Sequence, residues 1–100
     1  MAVTILWSNE AELTFDKNIK YLKENWTNKE IISFIKKVNQ IISQIEKNPL
    51  MYMASSKSRF IRKAQINKYI ILYFRYYVSR KEIVLLSFWH SKQNPQKLKY

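Results

Sequence analysis

Residues 27–49 read TNKEIISFIKKVNQIISQIEKNP, and both ends of the segment are punctuated. Thr27 with Glu30 three residues later is a capping box, in which each side chain satisfies an amide of the other residue. Ile31, Phe34, Ile35, Val38, Ile41, Ile42 and Ile45 then recur at three- and four-residue spacing, which lays one apolar stripe along a helix. Asn48-Pro49 closes the segment, because a residue before proline is driven out of the helical region. The pattern predicts a helix that ends at Glu46 or Lys47.

The cap at Thr27 also constrains what comes before it. Asn9 with Glu12 resembles another capping box, and Ala11, Phe15, Ile19, Leu22 and Trp26 follow at helical spacing. Two helices with almost no linker between them must form an antiparallel hairpin. Upstream, residues 2 to 7 hold Val3, Thr4, Ile5 and Trp7 and read as a short strand that stops at Ser8-Asn9.

Downstream of Pro49 the chain changes character. Residues 50 to 58 read as a loop, 59 to 66 alternate charged and apolar side chains, 69 to 78 are nearly continuous β-formers, and 82 to 89 repeat that theme. Asn67-Lys68 predicts a two-residue hairpin turn with asparagine at positive φ, in a chain with no glycine to take that role, and Ser79-Arg80-Lys81 predicts the second turn. The tail from 91 to 100 is polar, basic and proline-containing, so it is expected to be irregular. The resulting order is an N-terminal strand, an antiparallel helical hairpin and a three-stranded antiparallel meander (β-α-α-β-β-β). Helices on one face of an antiparallel sheet define an α+β fold, because each layer must cover the other's apolar side. At 100 residues the chain suits one core, hence a single domain over 1–100.

Composition narrows the function. Hydrophobic residues make up 47% and aromatics 15%, enough apolar surface to offset chain entropy. No stretch approaches the roughly 18 apolar residues a membrane span requires, and the N-terminus runs into Glu10 and Glu12 without a basic start or a cleavage site. A cytoplasmic protein with no membrane partner is expected. With no cysteine and one histidine, neither a disulfide nor an all-protein metal site is expected, and no cofactor is called for. Charge is lopsided: residues 1 to 50 hold seven Lys/Arg against six Asp/Glu, whereas residues 51 to 100 hold eleven against Glu82 alone. A field concentrated in this way attracts a polyanion such as RNA, DNA or an acidic protein segment.

Familiar catalytic signatures are missing. Without glycine there is neither a phosphate-binding loop nor a glycine-flanked serine nucleophile, and six of the seven acids lie on or beside the predicted helices in solvated positions. What remains is a cationic and aromatic set on the strands: Arg59, Arg62, Lys63, Arg75, His90 and Lys92, interleaved with Tyr69, Tyr73, Tyr76, Tyr77 and Trp89. Arginine clamps phosphate, aromatic rings stack on unpaired bases, and a histidine near neutrality moves a proton. Such a set would let a metal-free nuclease activate a ribose 2′-hydroxyl, steady the phosphate and protonate the leaving oxygen. Plainer roles stand beside these. The tyrosines would cover the sheet, Arg75 would pair across strands with Glu82, Arg62 would be a solvated basic position, and His90 an ordinary polar residue at a strand end.

The chain also resembles the RelE/ParE superfamily of type II toxins, which includes plasmid stabilisation proteins. The resemblance is carried by Trp7-Ser8 with Ala11, Tyr21-Leu22, Asn48-Pro49, Ile61-Arg62, Lys68-Tyr69, Tyr73, and the stretch Phe88-Trp89-His90-Ser91-Lys92-Gln93-Asn94-Pro95. It implies a growth-arresting toxin silenced by a cognate antitoxin whose toxin-binding tail is acidic. RelE-like members cleave mRNA on the ribosome, whereas ParE-like members poison DNA gyrase. The first group carries an arginine just after the position of Tyr69, where this chain has Ile70. That departure favours gyrase over the ribosome as target. For a ribonuclease, Arg62, Arg75 and His90 would be catalytic; for either target Arg59, Lys63, Tyr73 and Lys92 would bind. A third reading is a non-toxic interaction module on the same fold.

Overall fold

The computed structural model describes residues 3–93 and 95–100. Ala2 of the expected first strand and Asn94 of the C-terminal stretch lie outside these. The chain runs β1 (Thr4–Trp7), α1 (Asn9–Asn25), α2 (Asn28–Lys47), a 3₁₀ turn at Pro49–Met51, β2 (Ile61–Gln65), β3 (Ile70–Tyr77) and β4 (Glu82–His90). The predicted element order therefore holds. The capping box at α2 forms as read: the Thr27 amide donates to the Glu30 carboxylate at 3.1 Å. The α1 cap falls one residue earlier than expected, at Ser8. Its Oγ accepts from the Ala11 amide at 3.0 Å and donates to the Leu86 carbonyl at 3.1 Å, so one hydroxyl starts the helix and ties it to the sheet.

The four strands are ordered β1-β4-β3-β2. The meander is antiparallel as expected, but β1 lies parallel to β4, with Thr4 opposite Glu82 and Trp7 opposite Leu85, so the sheet is mixed. The reason is that the chain does not reverse at Ser8. Helix α1 continues in the direction of β1 along the edge of β4, α2 returns, and the meander then brings β4 up beside β1. Where β1 stops, α1 side chains replace it as hydrogen-bonding partners for β4. The Phe88 amide donates to Thr14 Oγ1 at 2.9 Å, and buried Asn18 donates from Nδ2 to the Phe88 carbonyl at 3.2 Å. An open edge that would otherwise leave buried backbone groups unpaired is satisfied in this way.

Phe34, Val38, Ile41 and Ile45 of α2 pack with Ile70, Leu72 and Phe74 of β3 and Ile83, Leu85 and Phe88 of β4 to form the core. A bulge on β4 leaves Leu86 between Leu85, opposite Phe74, and Ser87, opposite Tyr73. Strict alternation would have sent Phe88 to the face away from the helices; the extra residue restores it to the core. The turns differ from their sequence reading in one respect. Asn67 does not take positive φ: its Oδ1 accepts from the Tyr69 and Ile70 amides at 2.8 and 3.0 Å, an Asx-type turn. Among the described residues the left-handed position falls to Lys81 instead, at φ 51°.

The tail is irregular apart from a 3₁₀ turn at Pro95–Lys97, yet its end is docked across the sheet face opposite the helices. The Ser55 hydroxyl donates to the Tyr100 carbonyl, the Tyr100 ring lies 5.9 Å from that of Tyr73, and its hydroxyl donates to Glu10 Oε1 at 3.0 Å. Burial first, then Glu10, pushes the Tyr100 phenol up to about 12. A phenol raised above its unfolded value near 10 contributes stability that is complete below that value and lost as pH rises from there through about 12. A tyrosinate absorbance titration is expected to show a late step near pH 12 that is absent in Tyr100→Phe.

Candidate functional site

The residues singled out by sequence fall into three places. His90 ends β4 on the helix side, at the end of the sheet where α1 gives way to α2. There it lines a groove of about 620 Å³ shared with Tyr21, Leu22, Trp26, Phe34 and Tyr69, and with Lys37 and Lys92 among its cations. Tyr69 stacks on the imidazole at 5.8 Å with the rings nearly parallel, and Tyr21 meets it edge-on at 5.3 Å. The Lys92 amide donates to His90 Nδ1 at 3.1 Å, and Nε2 has no hydrogen-bond partner among the described residues. Lys92 Nζ in turn donates to the Tyr21 hydroxyl at 3.2 Å.

Burial, then the charge of Lys92, holds the His90 imidazole below its ordinary 6.5. A histidine with a depressed pKa keeps the folded chain from taking up a proton that the unfolded chain accepts. Stability is therefore full above 6.5 and falls as pH drops below it. The midpoint followed by the imidazole Cε1 proton in NMR is expected below 6.5, and Lys92→Ala is expected to recover only the smaller part of the shift.

Arg62 also lies on the helix side, but at the opposite end. It pairs with Phe74, whereas His90 pairs with Ile70 from the other flank of β3. Four residues along a strand and two strand spacings across put the two backbones on the order of 16 Å apart. The Arg62 guanidinium is engaged, with Nη1 donating to the Tyr52 carbonyl at 2.6 Å. It fastens the segment before β2 to the sheet, where Ala54 bridges to Arg62 and the Tyr52 ring packs on Phe74. Arg75 points to the opposite face of the sheet from both, in register with Ile61 and Val84. Glu82, its expected partner, is held by Arg80 at 3.3 Å instead. The structure therefore does not bring Arg62, Arg75 and His90 together.

The binding set divides similarly. Lys92 belongs to the groove. Arg59, Lys63 and Tyr73 lie on or beside the open face, where Tyr73 is only 5% exposed beneath Tyr100 and is sheet-covering, as its plainer reading held. Phe60, Tyr77 and Arg80 complete a basic patch there; the strand expected over 59–66 begins only at Ile61, which frees Phe60 from the alternation that would have set it on the face of Arg62, and Arg80 falls in a turn. The docking of Tyr100 was equally invisible, since a tail of mixed polar residues carries no period.

Comparison with known proteins agrees with this architecture. A family described as "ParE toxin of type II toxin-antitoxin system, parDE" matches residues 5–95. No curated protein matches. A chain of a chromosomal ParDE toxin–antitoxin system from P. aeruginosa superposes with a TM-score of 0.72 at 13% identity, covering 90% of this chain and 97% of that one. A chain of the RelBE2 toxin–antitoxin complex from Mycobacterium tuberculosis gives 0.61 at 12% identity, covering 90% and 99%. The YoeB dimer from Staphylococcus aureus gives 0.59 at 19% identity, covering 88% and 95%. At these identities the structures share the fold, which is the α+β arrangement expected from the sequence.

Proposed function

This chain belongs to the ParE toxin family of type II toxin–antitoxin systems, and from that premise we propose that it arrests growth by binding DNA gyrase and not by cutting RNA. The observation that carries this reading is the scatter of Arg62, Arg75 and His90 over two ends and two faces of the sheet. General acid–base chemistry on a phosphodiester needs its proton-transfer and charge-stabilising groups within about 3 Å of one reacting centre. Here the arginine that would steady a phosphate near His90 is missing: Ile70 occupies that stretch of β3, buried, and the groove is lined by lysines alone among the permanent cations.

The groove suits an antitoxin. Its floor of Leu22, Trp26, Phe34, Ile66 and Ile70 would accept the apolar side of an amphipathic segment, and Lys37 and Lys92 would meet acidic residues on it. The test of the target is direct. Purified chain is added to gyrase with supercoiled plasmid, and cleaved DNA–enzyme complexes are counted with and without antitoxin. Accumulation that antitoxin prevents supports the reading; none at any toxin concentration refutes it. A ribosome-dependent ribonuclease is the second reading, favoured by the setting of His90 between Tyr21 and Tyr69, rings on which a base would stack. It requires mRNA cleavage in a translating extract.

A further inference from the structure

At the end of the sheet remote from the groove, side chains from three segments form a continuous ladder of arginines and rings. Arg59 Cζ lies 4.9 Å from the centre of the Phe60 ring, and Arg75 Cζ lies 5.2 Å from the same ring. Arg75 is also 4.6 Å from the centre of Tyr77, against which Arg80 rests at 4.1 Å. Each ring thus meets two guanidinium groups and offsets part of their mutual repulsion. Phe60 is 55% exposed, so burial does not explain its position. Glu82 alone among the described acids touches the ladder, through Arg80 at 3.3 Å. The guanidinium groups of Arg59 and Arg75 have no hydrogen-bond acceptor and no ion-pair partner among the described residues.

A ring occupies the flat face of a guanidinium and leaves its rim of N–H donors free, the part that grips phosphate oxygens. We infer that this ladder binds the phosphate backbone of duplex DNA. Each ring already has two arginines against it, which disfavours stacking of unpaired bases and favours phosphate as the group the site takes. The charge agrees, since the second half of the chain holds eleven Lys/Arg against one acid. The inference rests on the gyrase reading, since gyrase is an enzyme that holds duplex DNA, and it gives the toxin a grip on that DNA beside any grip on the protein.

The test is fluorescence anisotropy of the full chain with a labelled duplex oligonucleotide over a series of salt concentrations. Arg59→Gln and Arg75→Gln are each expected to weaken binding about five- to tenfold and to lower the slope of log affinity against log salt by about one. Arg75→Lys, which keeps the charge but not the planar rim of donors, is expected to keep the slope while losing affinity. Absence of duplex binding, glutamine variants that bind like the parent, or equal competition by single-stranded RNA or polyglutamate would overturn the inference. The same variants in the gyrase cleavage assay separate the two claims. Duplex binding that depends on the ladder without any cleaved complex upholds the ladder and refutes the gyrase reading. Cleaved complexes at parental yield from a chain that does not bind duplex refute the ladder and uphold the gyrase reading.

Discussion

Phe88→Ala is expected to cost about 3–5 kcal/mol, the range for truncating a fully buried aromatic residue. Phe88 is 1% exposed and sits where three elements meet. Its ring lies 5.4 Å from Trp7 of β1 and 5.4 Å from Phe15 of α1, and Phe15 stacks in turn on Phe34 of α2 at 5.6 Å. Its own amide and carbonyl are the groups bound by Thr14 and Asn18. A cavity at this point would undermine both the side-chain cluster and the docking of α1 on the edge of β4. Because small domains are stable by only about 5–15 kcal/mol in total, the variant should stand close to unfolding. Urea denaturation is the measurement. Phe88→Leu, which keeps most of the volume, is expected to lose under about 1.5 kcal/mol, and an alanine variant with an unchanged midpoint would contradict the packing described.

The second large effect is an expected retention. Induced without antitoxin, the chain carrying both Arg62→Ala and His90→Ala should arrest growth as the parent does. A nuclease that lost its acid–base group would fall by about 10²–10⁴ in rate, and colony formation on inducing plates would recover. Arg62 calls for a control, because its bond to the Tyr52 carbonyl holds the segment before β2. Arg62→Lys preserves charge and reach and should also leave the arrest intact.

Much of the fold was legible because its signals are local. The Thr27–Glu30 box and the stripe from Ile31 to Ile45 declare α2 without reference to anything else, and Asn48-Pro49 ends it where the structure does. What was not legible depends on partners distant in sequence. That β1 runs parallel to β4 follows from α1 continuing along the sheet, and the bonds that dock it there come from Thr14 and from Asn18, a polar residue inside the apolar helix face. The bulge at Leu86 breaks an alternation that sequence alone would extend. For the site, residue types were readable but convergence was not. Arg62 and His90 match positions where ribonuclease members of the resembled superfamily keep basic or histidine side chains, with Arg75 as a substitute farther along the strand, but register and face separate the three. The ladder was missed for a different cause: alternation over 59–66 would set Phe60 on the face of Arg62, but β2 begins only at Ile61 and Phe60 turns to Arg75, while Arg80 belongs to a turn.

A gyrase poison and a ribosomal nuclease differ in what stops first in the cell. Pulse-labelling of new DNA and new protein within minutes of inducing the chain, with the Arg62→Ala and His90→Ala variants in parallel, measures that order directly. DNA synthesis is expected to collapse first, with neither substitution delaying it; collapse of protein synthesis first, relieved by those substitutions, would overturn the gyrase reading.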